Sequence, residues 1–479
     1  MIKPVMLWTD ALVFLLLAVI TFFVWTVYRH EHLAAPWRKV GHSASGMAAL
    51  VVLSCFVLIG FLDTLHYRVS IPGKDGKTTY AVEVLSALDA MVGPLRTQKE
   101  KTYSAPLATH LFAKETLQGA DGREIREFPR LRYGGAGLKD VRRDHVPDVL
   151  QRAALGLGAG LLLWMLPVAW VCRRVARRSK SGLRAAFLSI ARRETQVPWH
   201  AILLAIGAVC IVASPMAALA SQYHVFGTDK VGQDVLYLAL KSIRPGLIIG
   251  TLTTLVMLPF ALALGIMAGY FRGWVDDVIQ YLYTTLHSIP GVLLIAAAVL
   301  MMQVYVENHG SLFPTTVERA DFRLLFLCLI LGVTSWTSLC RLLRGESLKL
   351  REMEYIQAAH AFGVSHARIM IRHILPNVMH IVLIAVVMDF SGLVLAEAVL
   401  SYIGIGVDPS MNSFGSMINS ARLEMAREPM VWWSLAAAFS FMLVLVLAAN
   451  LFGDAVRDAL DPRVSTRKAV PAAPAKAAA

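Results

Sequence analysis

Few residues in this chain have the types and spacing that chemistry requires. His30-Glu31-His32 could suggest a metal site, but histidines two positions apart do not share a helix face, so a solvated loop explains them better. Gly76-Lys77-Thr78 matches the end of a phosphate-binding loop, yet Ile71 stands where that loop needs its first glycine. The sequence has no Ser-His-Asp set, paired-cysteine motif or Walker sequence. It therefore predicts a chain that is not an enzyme, that does not itself hydrolyse ATP, and that binds no metal or cofactor.

Two carboxylates lie inside an apolar stretch of the sequence. Asp389 and Glu397 are separated by about 80° around a helix that turns about 100° per residue, so both could line one broad face. Acids at membrane depth are costly and usually face a cavity or a partner. Both are therefore candidate residues of a membrane pathway. A structural hydrogen bond to a neighbouring helix, or an interfacial position for Glu397, is the more common explanation of such acids.

Apolar stretches long enough to cross a bilayer recur along the chain. Hydrophobic residues make up 56% of it and charged residues 16%, whereas soluble domains average about a quarter charged residues. As a helix, about 20 apolar residues cross a hydrocarbon layer of about 30 Å. The stretches that qualify are nine, to within one: 11–28, 46–62, 153–171, 201–220, 247–269, 289–306, 323–340, 379–403 and 431–452.

The formal net charge of +13 is explained by membrane topology and does not indicate nucleic-acid binding. Cytoplasmic loops of membrane proteins carry an excess of Lys and Arg. The linker 172–199 has basic residues throughout and a single acid, Glu194, so we expect it to be cytoplasmic. Alternating the spans from this linker predicts an external N-terminus and a cytoplasmic C-terminus.

Composition divides the chain into three parts. Residues 1–199 hold the first three spans, a polar insert at 63–150, and the basic linker 172–199. Residues 200–462 hold six spans with short connections. The tail 463–479 is a low-complexity Pro/Ala sequence, which predicts disorder.

The insert has mixed charge and Gly/Pro punctuation, with a strand predicted at Thr78–Val84. It is either a small extracytoplasmic domain or a partly ordered loop. All five cysteines lie in or at the ends of spans, so no disulfide scaffold is implied. The first apolar segment lacks a basic leader and a cleavage site, which indicates a retained anchor.

The polar segment between the seventh and eighth spans carries the most informative pattern. Glu354 to Gly363 consists of good helix formers closed by a glycine, which can adopt the left-handed conformation that ends a helix. A second helix is predicted from Val364 to Ile374, with Ser365 as a possible cap and Pro376 ending it before the next span.

This pattern predicts a helix–turn–helix that lies flat along the membrane. Arg368 and Arg372 would share one face of the second helix. Ala358 and Ala359 would form an exposed patch of small side chains that a partner surface could approach closely.

The segment resembles the EAA loop of ABC importer permeases. That loop has an acid, two alanines, three residues, glycine, nine residues and then Ile-x-Leu-Pro; here Gln357 replaces the acid and His373 the first isoleucine. The ending His-Ile-Leu-Pro-Asn is common in the dipeptide/oligopeptide branch. The resemblance implies that this loop docks in a groove on a cytoplasmic ATPase. The residues it carries over are Gln357, Ala358, Ala359, Gly363, Arg372, His373 and Pro376.

Further segments resemble the same branch. The glycines and short polar side chains from Gly227 to Val235 favour a tight, self-capped turn. The family has the pattern Gly-Thr-Asp-x-x-Gly-Arg-Asp-Val at this place. In this chain Gln233 replaces the arginine. The residues of this extracytoplasmic turn are Gly227, Thr228, Asp229, Gly232 and Asp234. The other similar segments are Gly269–Asp277, Ser288–Pro290, Leu400–Gly406, Phe414-Gly415 and Gly453–Pro462.

The resemblance covers about 200–462 and implies an all-α integral membrane protein of the bacterial inner membrane. The expected fold is the six-helix core of type I ABC importers, preceded by about three extra transmembrane helices and the extracytoplasmic insert. The implied partners are a second homologous permease, one or two cytoplasmic ATPases that bind ATP and Mg, an extracytoplasmic solute-binding protein, and membrane lipid. ATP-driven alternating access follows from the same resemblance.

The cargo stays open at this point. Peptides are favoured, while nickel, glutathione, murein peptides and peptide antibiotics are alternatives that the motifs do not distinguish. A membrane assembly or sensing protein could also reuse the permease core, with residues 1–199 as its functional part. A proton-driven secondary transporter is less favoured.

Overall fold

The computed structural model describes residues 2–72, 78–118, 124–180, 182–313 and 315–460. The Gly76-Lys77 pair and the tail 463–479 lie outside the described residues. The helices are α1 Trp8–Arg29, α2 Glu31–His42, α3 Ala44–Thr64, α4 Ala87–Met91, α5 Gly93–Thr97, α6 Val141–Ser179, α7 Leu183–Ala191, α8 Trp199–Ala220, α9 Val235–Phe271, α10 Trp274–Ser288, α11 Gly291–Asn308, α12 Thr316–Arg351, α13 Glu354–Ala361, α14 His366–Ile369, α15 Leu375–Tyr402, α16 Phe414–Met425 and α17 Trp433–Leu460. A 3₁₀ turn spans Gly310–Leu312, and a π-helical turn, Met370–Ile374, joins α14 to α15.

Within the described residues, nine helices are long and apolar enough to cross a membrane. They fall on the nine predicted stretches, which confirms the expected membrane architecture. Four of them are 36 to 39 residues long, because the helix continues past the apolar part into polar flanking sequence: α6, α9, α12 and the span His366–Tyr402, which ends in α15.

Helices α9 and α12 form the centre of the core, packed closely at glycines. A Cβ atom built on Gly265 would lie 2.8 Å from the Cβ of Leu343, and one on Gly332 would lie 2.6 Å from the Cβ of Val256. Buried Leu, Ile, Val and Met side chains surround this contact along both helices. Only glycine permits so close an approach of the two backbones. Close packing therefore stabilises the helix pair in addition to apolar burial.

The N-terminal helices are joined to the core by buried ion pairs. Arg244 on α9 donates to Asp10 of α1 at 2.7 Å, and Lys241, one turn earlier, contacts Asp63 of α3 at 2.6 Å and Asp89 of α4 at 3.2 Å. Removing one partner of such a pair leaves a buried charge uncompensated, which costs several kcal/mol. The first two spans are therefore integral to the packing of α9.

The described part of the insert contains short strands and two short helices, α4 and α5. Strand β1 (Ile2–Val5) pairs antiparallel with β2 (His66–Pro72), which also pairs with β3 (Thr78–Tyr80) and β4 (Leu85–Ser86); β5 (Glu115–Gln118) pairs with β6 (Glu124–Glu127). The strand predicted at Thr78–Val84 ends earlier, because the chain bends at residues 82–83 before β4. These two small sheets are additions to an otherwise helical fold.

Candidate functional site

The polar loop between α12 and α15 is closed by a glycine turn. Gly363 has φ +74°, its N–H donates to the carbonyl of His360 at 3.0 Å, and the N–H of Val364 donates to the carbonyl of Ala359 at 3.1 Å. These two bonds are those of a Schellman motif, which satisfies the last carbonyls of α13. Val364 and Ala359 both pack on the core below, the apolar contact that accompanies this motif.

Three isoleucines anchor the loop in the membrane core. Ile356, Ile369 and Ile374 are at most 2% exposed and belong to one cluster. That cluster also contains side chains of α9, α10, α12 and α15, among them Met257, Tyr283, Trp336, Leu343 and Val378. Since each fully buried isoleucine contributes about 1.5–3 kcal/mol, the loop is attached firmly to the helices around it.

The opposite side of the loop is exposed. Gln357, Ala358 and Arg372 are exposed, and Phe362 at the end of α13 is 87% exposed. An apolar side chain of this size facing water marks a contact surface. Ala359 departs from the prediction, because it is partly buried and packs inward beside the glycine turn. The Gln357 amide donates to the carbonyl of Glu352 at 3.2 Å.

Pro376 does not end the second helix, contrary to the sequence prediction. Residues His366 to Tyr402 are one continuous helix, so the segment is the beginning of the eighth span and not a separate surface helix. The π-helical turn immediately before the proline widens the helix where the ring would otherwise crowd the backbone. The Asn377 amide donates to the carbonyl of His373 at 2.7 Å. Ser365 precedes the helix but makes no side-chain capping bond.

The turn between α9 and α10 lies against this loop. Arg272 and Gly273 have φ values of +59° and +56°, and Arg272 forms an ion pair with Glu352, next to α13. Asp276 receives two hydrogen bonds from Arg344 of α12, at 2.6 and 2.7 Å. The Arg344 guanidinium lowers the pKa of Asp276, so the pair stays ionised near neutral pH.

The predicted turn before α9 forms on the other side of the membrane region. Gly227 and Gly232 have φ values of +71° and +74°, and the Asp229 carboxylate accepts from the backbone N–H groups of Val231 and Gln233. Asp234 caps α9 by accepting from the N–H groups of its first turn. Both acids of this motif thus accept hydrogen bonds from nearby backbone N–H groups.

The insert covers this turn directly, which the sequence did not indicate. The N–H of Glu100 donates to the carbonyl of Gly232 at 2.9 Å, and the N–H of Ser104 donates to the hydroxyl of Thr228 at 2.7 Å. A Cβ atom on Gly232 would overlap the carbonyl of Glu100. On the core side of the turn, the indole N–H of Trp433, at the start of α17, donates to the carbonyl of Thr228. The turn is therefore enclosed between insert and core.

A buried histidine lies between two carboxylates at this contact. His224 Nδ1 is 2.8 Å from Asp234 and Nε2 is 3.6 Å from Glu100. Burial opposes its charge, but the two carboxylates outweigh burial and raise the pKa of His224 to about 9. Burial likewise opposes ionisation of Glu100, but the nearby His224 imidazole and the hydrogen bonds from the backbone N–H groups of Tyr133 and Arg132 lower its pKa to about 2.

The two candidate pathway acids occupy different environments on α15. Glu397 is fully buried and accepts a hydrogen bond from the Ser401 hydroxyl at 2.7 Å, one turn along its own helix. Asp389 is partly exposed and lies two turns nearer the polar loop at 354–377. The bond to Ser401 is local and structural in form; a role for either acid in a pathway stays a prediction.

Comparison with known proteins matches the C-terminal half of the chain. The family model described as the inner membrane component of binding-protein-dependent transport systems matches residues 261–466. The oligopeptide transport system permease protein OppC of Mycobacterium bovis is 32% identical over 50% of this chain and 76% of its own length. The glutathione permease GsiD of Pectobacterium atrosepticum and the dipeptide permease DppC of Alkalihalophilus pseudofirmus are each 32% identical over 51% of this chain, covering 75% and 74% of their own lengths.

Proposed function

The chain belongs to the inner membrane permeases of binding-protein-dependent, peptide-type ABC importers, and from that premise we propose that it forms half of a translocation pathway and couples to ATPases through the loop 354–377. It is a multi-pass membrane protein with nine apolar helices in its described part. The observation that carries the proposal is the construction of this loop, with one exposed face and one face anchored in the membrane core.

The anchoring explains how force on the loop would reach the membrane. When ATP closes the pair of ATPases, a partner bound to the exposed face of α13 moves the loop. Ile356, Ile369 and Ile374 would carry that motion into the cluster shared by α9, α10, α12 and α15. Densely packed cores switch between arrangements and do not deform continuously, so a small shift can reorient the helices. ATP binding must then appear as a difference in affinity between the inward and outward states.

The partners follow from family membership. We expect a second homologous permease that completes the pathway, one or two ATPase subunits that hold ATP and Mg, and an extracytoplasmic solute-binding protein. ATP hydrolysis is assigned to the partners, and no cofactor to this chain. Since the insert covers the turn at 227–234, we expect the binding protein to contact the insert at that position.

Peptides are the proposed cargo. The relatives described above carry names for oligopeptide, dipeptide and glutathione transport, and all three substrates contain peptide bonds. The ending His373-Ile374-Leu375-Pro376 supports the same branch.

The proposed orientation has the N-terminus outside and the C-terminus in the cytoplasm. Strand β1 pairs with the insert, and the insert contacts the turn before α9, so these segments share one side. The basic linker and the loop at 354–377 belong to the other side under the positive-inside rule.

Reconstitution in liposomes tests the proposal. The chain, its second permease, the ATPases and the binding protein would be combined, and uptake of a labelled peptide would be measured. We expect uptake that requires both ATP and the binding protein and that continues when the proton gradient is dissipated. Uptake without ATP that collapses with the gradient would indicate a secondary transporter instead. Absence of any uptake, with ligand binding to the insert, would favour a sensing role.

A further inference from the structure

A cavity lies between α6 and α7, at the boundary between the third span and the basic linker. It has a volume of about 440 Å³. Its lining is mainly apolar and includes Leu183, Phe187 and Leu188, together with two basic residues, Arg173 and Arg184. The established motifs of the chain do not include this site.

Helix α7, which forms the outer wall of the cavity, has apolar side chains on both sides. Ala186 and Ile190 of α7 are buried against α6 and α8. On its other side, Leu183, Phe187 and Leu188 are 57%, 56% and 49% exposed. A short helix with apolar side chains on both sides is more stable when a further apolar group, such as lipid, covers its exposed side.

The residues beside the cavity are of the types found at the level of lipid headgroups. Trp170 is 55% exposed, and the Arg174 guanidinium lies over its ring at 5.2 Å. Exposed Trp beside Arg is typical of the membrane–water interface. The apolar part of α6 ends here, and a run of arginines follows it.

The positive charge around the cavity is not neutralised by the chain. Within the described residues, the basic side chains of the linker form no ion pair, and Glu194 is its only acid. These side chains are Arg173, Arg174, Arg177, Arg178, Lys180, Arg184, Arg192 and Arg193. Lys180 and Arg193 have left-handed backbone conformations, with φ values of +49° and +61°. Both lie at helix ends, where glycine is the usual residue.

We propose that this cavity binds an anionic phospholipid, with the phosphate at Arg173 and Arg184 and an acyl chain along Leu183, Phe187 and Leu188. Guanidinium groups bind phosphate oxygens in a fork geometry, and basic clefts between membrane helices on the cytoplasmic side suit anionic headgroups. The bound acyl chain would cover the exposed apolar side of α7, and the phosphate would offset the charge of the linker. The site lies outside the permease core and does not depend on the cargo.

Native mass spectrometry of the full-length chain, after delipidation, tests the site with phosphatidylglycerol and with phosphatidylcholine as probes. We expect phosphatidylglycerol to bind preferentially. The double variant Arg173→Gln/Arg184→Gln should weaken its binding by about thirtyfold, since each basic residue near an anionic lipid contributes about fivefold. The matched control is Arg142→Gln/Arg143→Gln, which removes two arginines from the opposite end of the same helix and should leave binding unchanged.

Two further results distinguish a lipid from a soluble phosphate. Phe187→Ser should weaken lipid binding while Arg173 and Arg184 remain, and glycerol 3-phosphate should not displace the lipid at comparable concentration. Displacement by glycerol 3-phosphate would overturn the lipid assignment. Equal binding by the double variant and the wild type, or equal binding of both lipids, would overturn the site itself. A thermal melt of each variant in the same detergent identifies any that fails to fold.

Discussion

Replacing Gly363 with valine should separate ATP hydrolysis from transport. The residue has φ +74°, a conformation that costs a non-glycine residue about 1–2 kcal/mol, and more when the side chain is β-branched. Apart from the adjacent residues, no atom lies within 4 Å of an added Cβ, so backbone strain is the main perturbation within this chain. A free energy of this size corresponds to about a fivefold to thirtyfold change in the population of the turn.

The same strain is too small to detach the loop. Ile356, Ile369 and Ile374 together contribute more, at about 1.5–3 kcal/mol each. The chain should therefore fold and insert, while the turn between α13 and α14 loses its native geometry. We expect peptide uptake per ATP hydrolysed to fall about fivefold to thirtyfold, with basal hydrolysis retained.

The assay is the ratio of uptake to ATP hydrolysis in liposomes, at matched expression. Asparagine tolerates the left-handed conformation, so Gly363→Asn should stay near wild type, and Gly363→Ala should be intermediate. Gly345→Val is the control, because Gly345 is helical and a Cβ there also meets open space. A wild-type ratio for Gly363→Val at normal expression would refute the assignment of the loop.

Three more predictions concern contacts around the loop and the insert. Asp276→Asn should destabilise the joint between α10 and α12 by about 1–2 kcal/mol, because Arg344 loses a bidentate carboxylate; a thermal melt measures this. Stability from the protonated His224 is complete below pH 6.5 and is lost as the pH rises towards 9, so proteolysis of the insert should increase over that range; His224→Gln should abolish the pH dependence. Gly232→Ala should separate insert from core and expose Glu100.

Each of these has a control or a result that would contradict it. Asp277, beside Asp276, has no ion pair within the described residues, so Asp277→Asn should leave the melt unchanged. Insert proteolysis that is flat between pH 6.5 and 9 in the wild type would contradict the assigned charge of His224. Gly93→Ala adds a Cβ to the insert in open space and should have no effect, unlike Gly232→Ala.

The membrane helices and the glycine turn could be predicted from the sequence because their causes are local. Apolar length determines which segments cross a bilayer. A run of helix formers that ends at Gly363 has few other ways to satisfy its last carbonyls. The self-capping of Asp229 and Asp234 is local for the same reason.

What the sequence did not indicate depends on distant partners. Asp10 and Arg244 are far apart in the chain, and nothing near either one identifies the other as its partner. The contact of Glu100 with Gly232 likewise joins the insert to a turn of the core, and neither sequence indicates the other as its partner. Pro376 was expected to end a helix, but a π-helical turn accommodated the ring, and the inward packing of Ala359 followed from tertiary contact with the core.

Cross-linking from α13 tests the central claim, that this loop is the ATPase docking site, most directly. Ala358 is exposed on α13, and Thr97 is exposed on the insert. In the assembled complex, Ala358→Cys should form a short thiol-specific cross-link to the ATPase subunit, and Thr97→Cys should form none. An intact complex in which Ala358→Cys never cross-links to the ATPase would contradict the account.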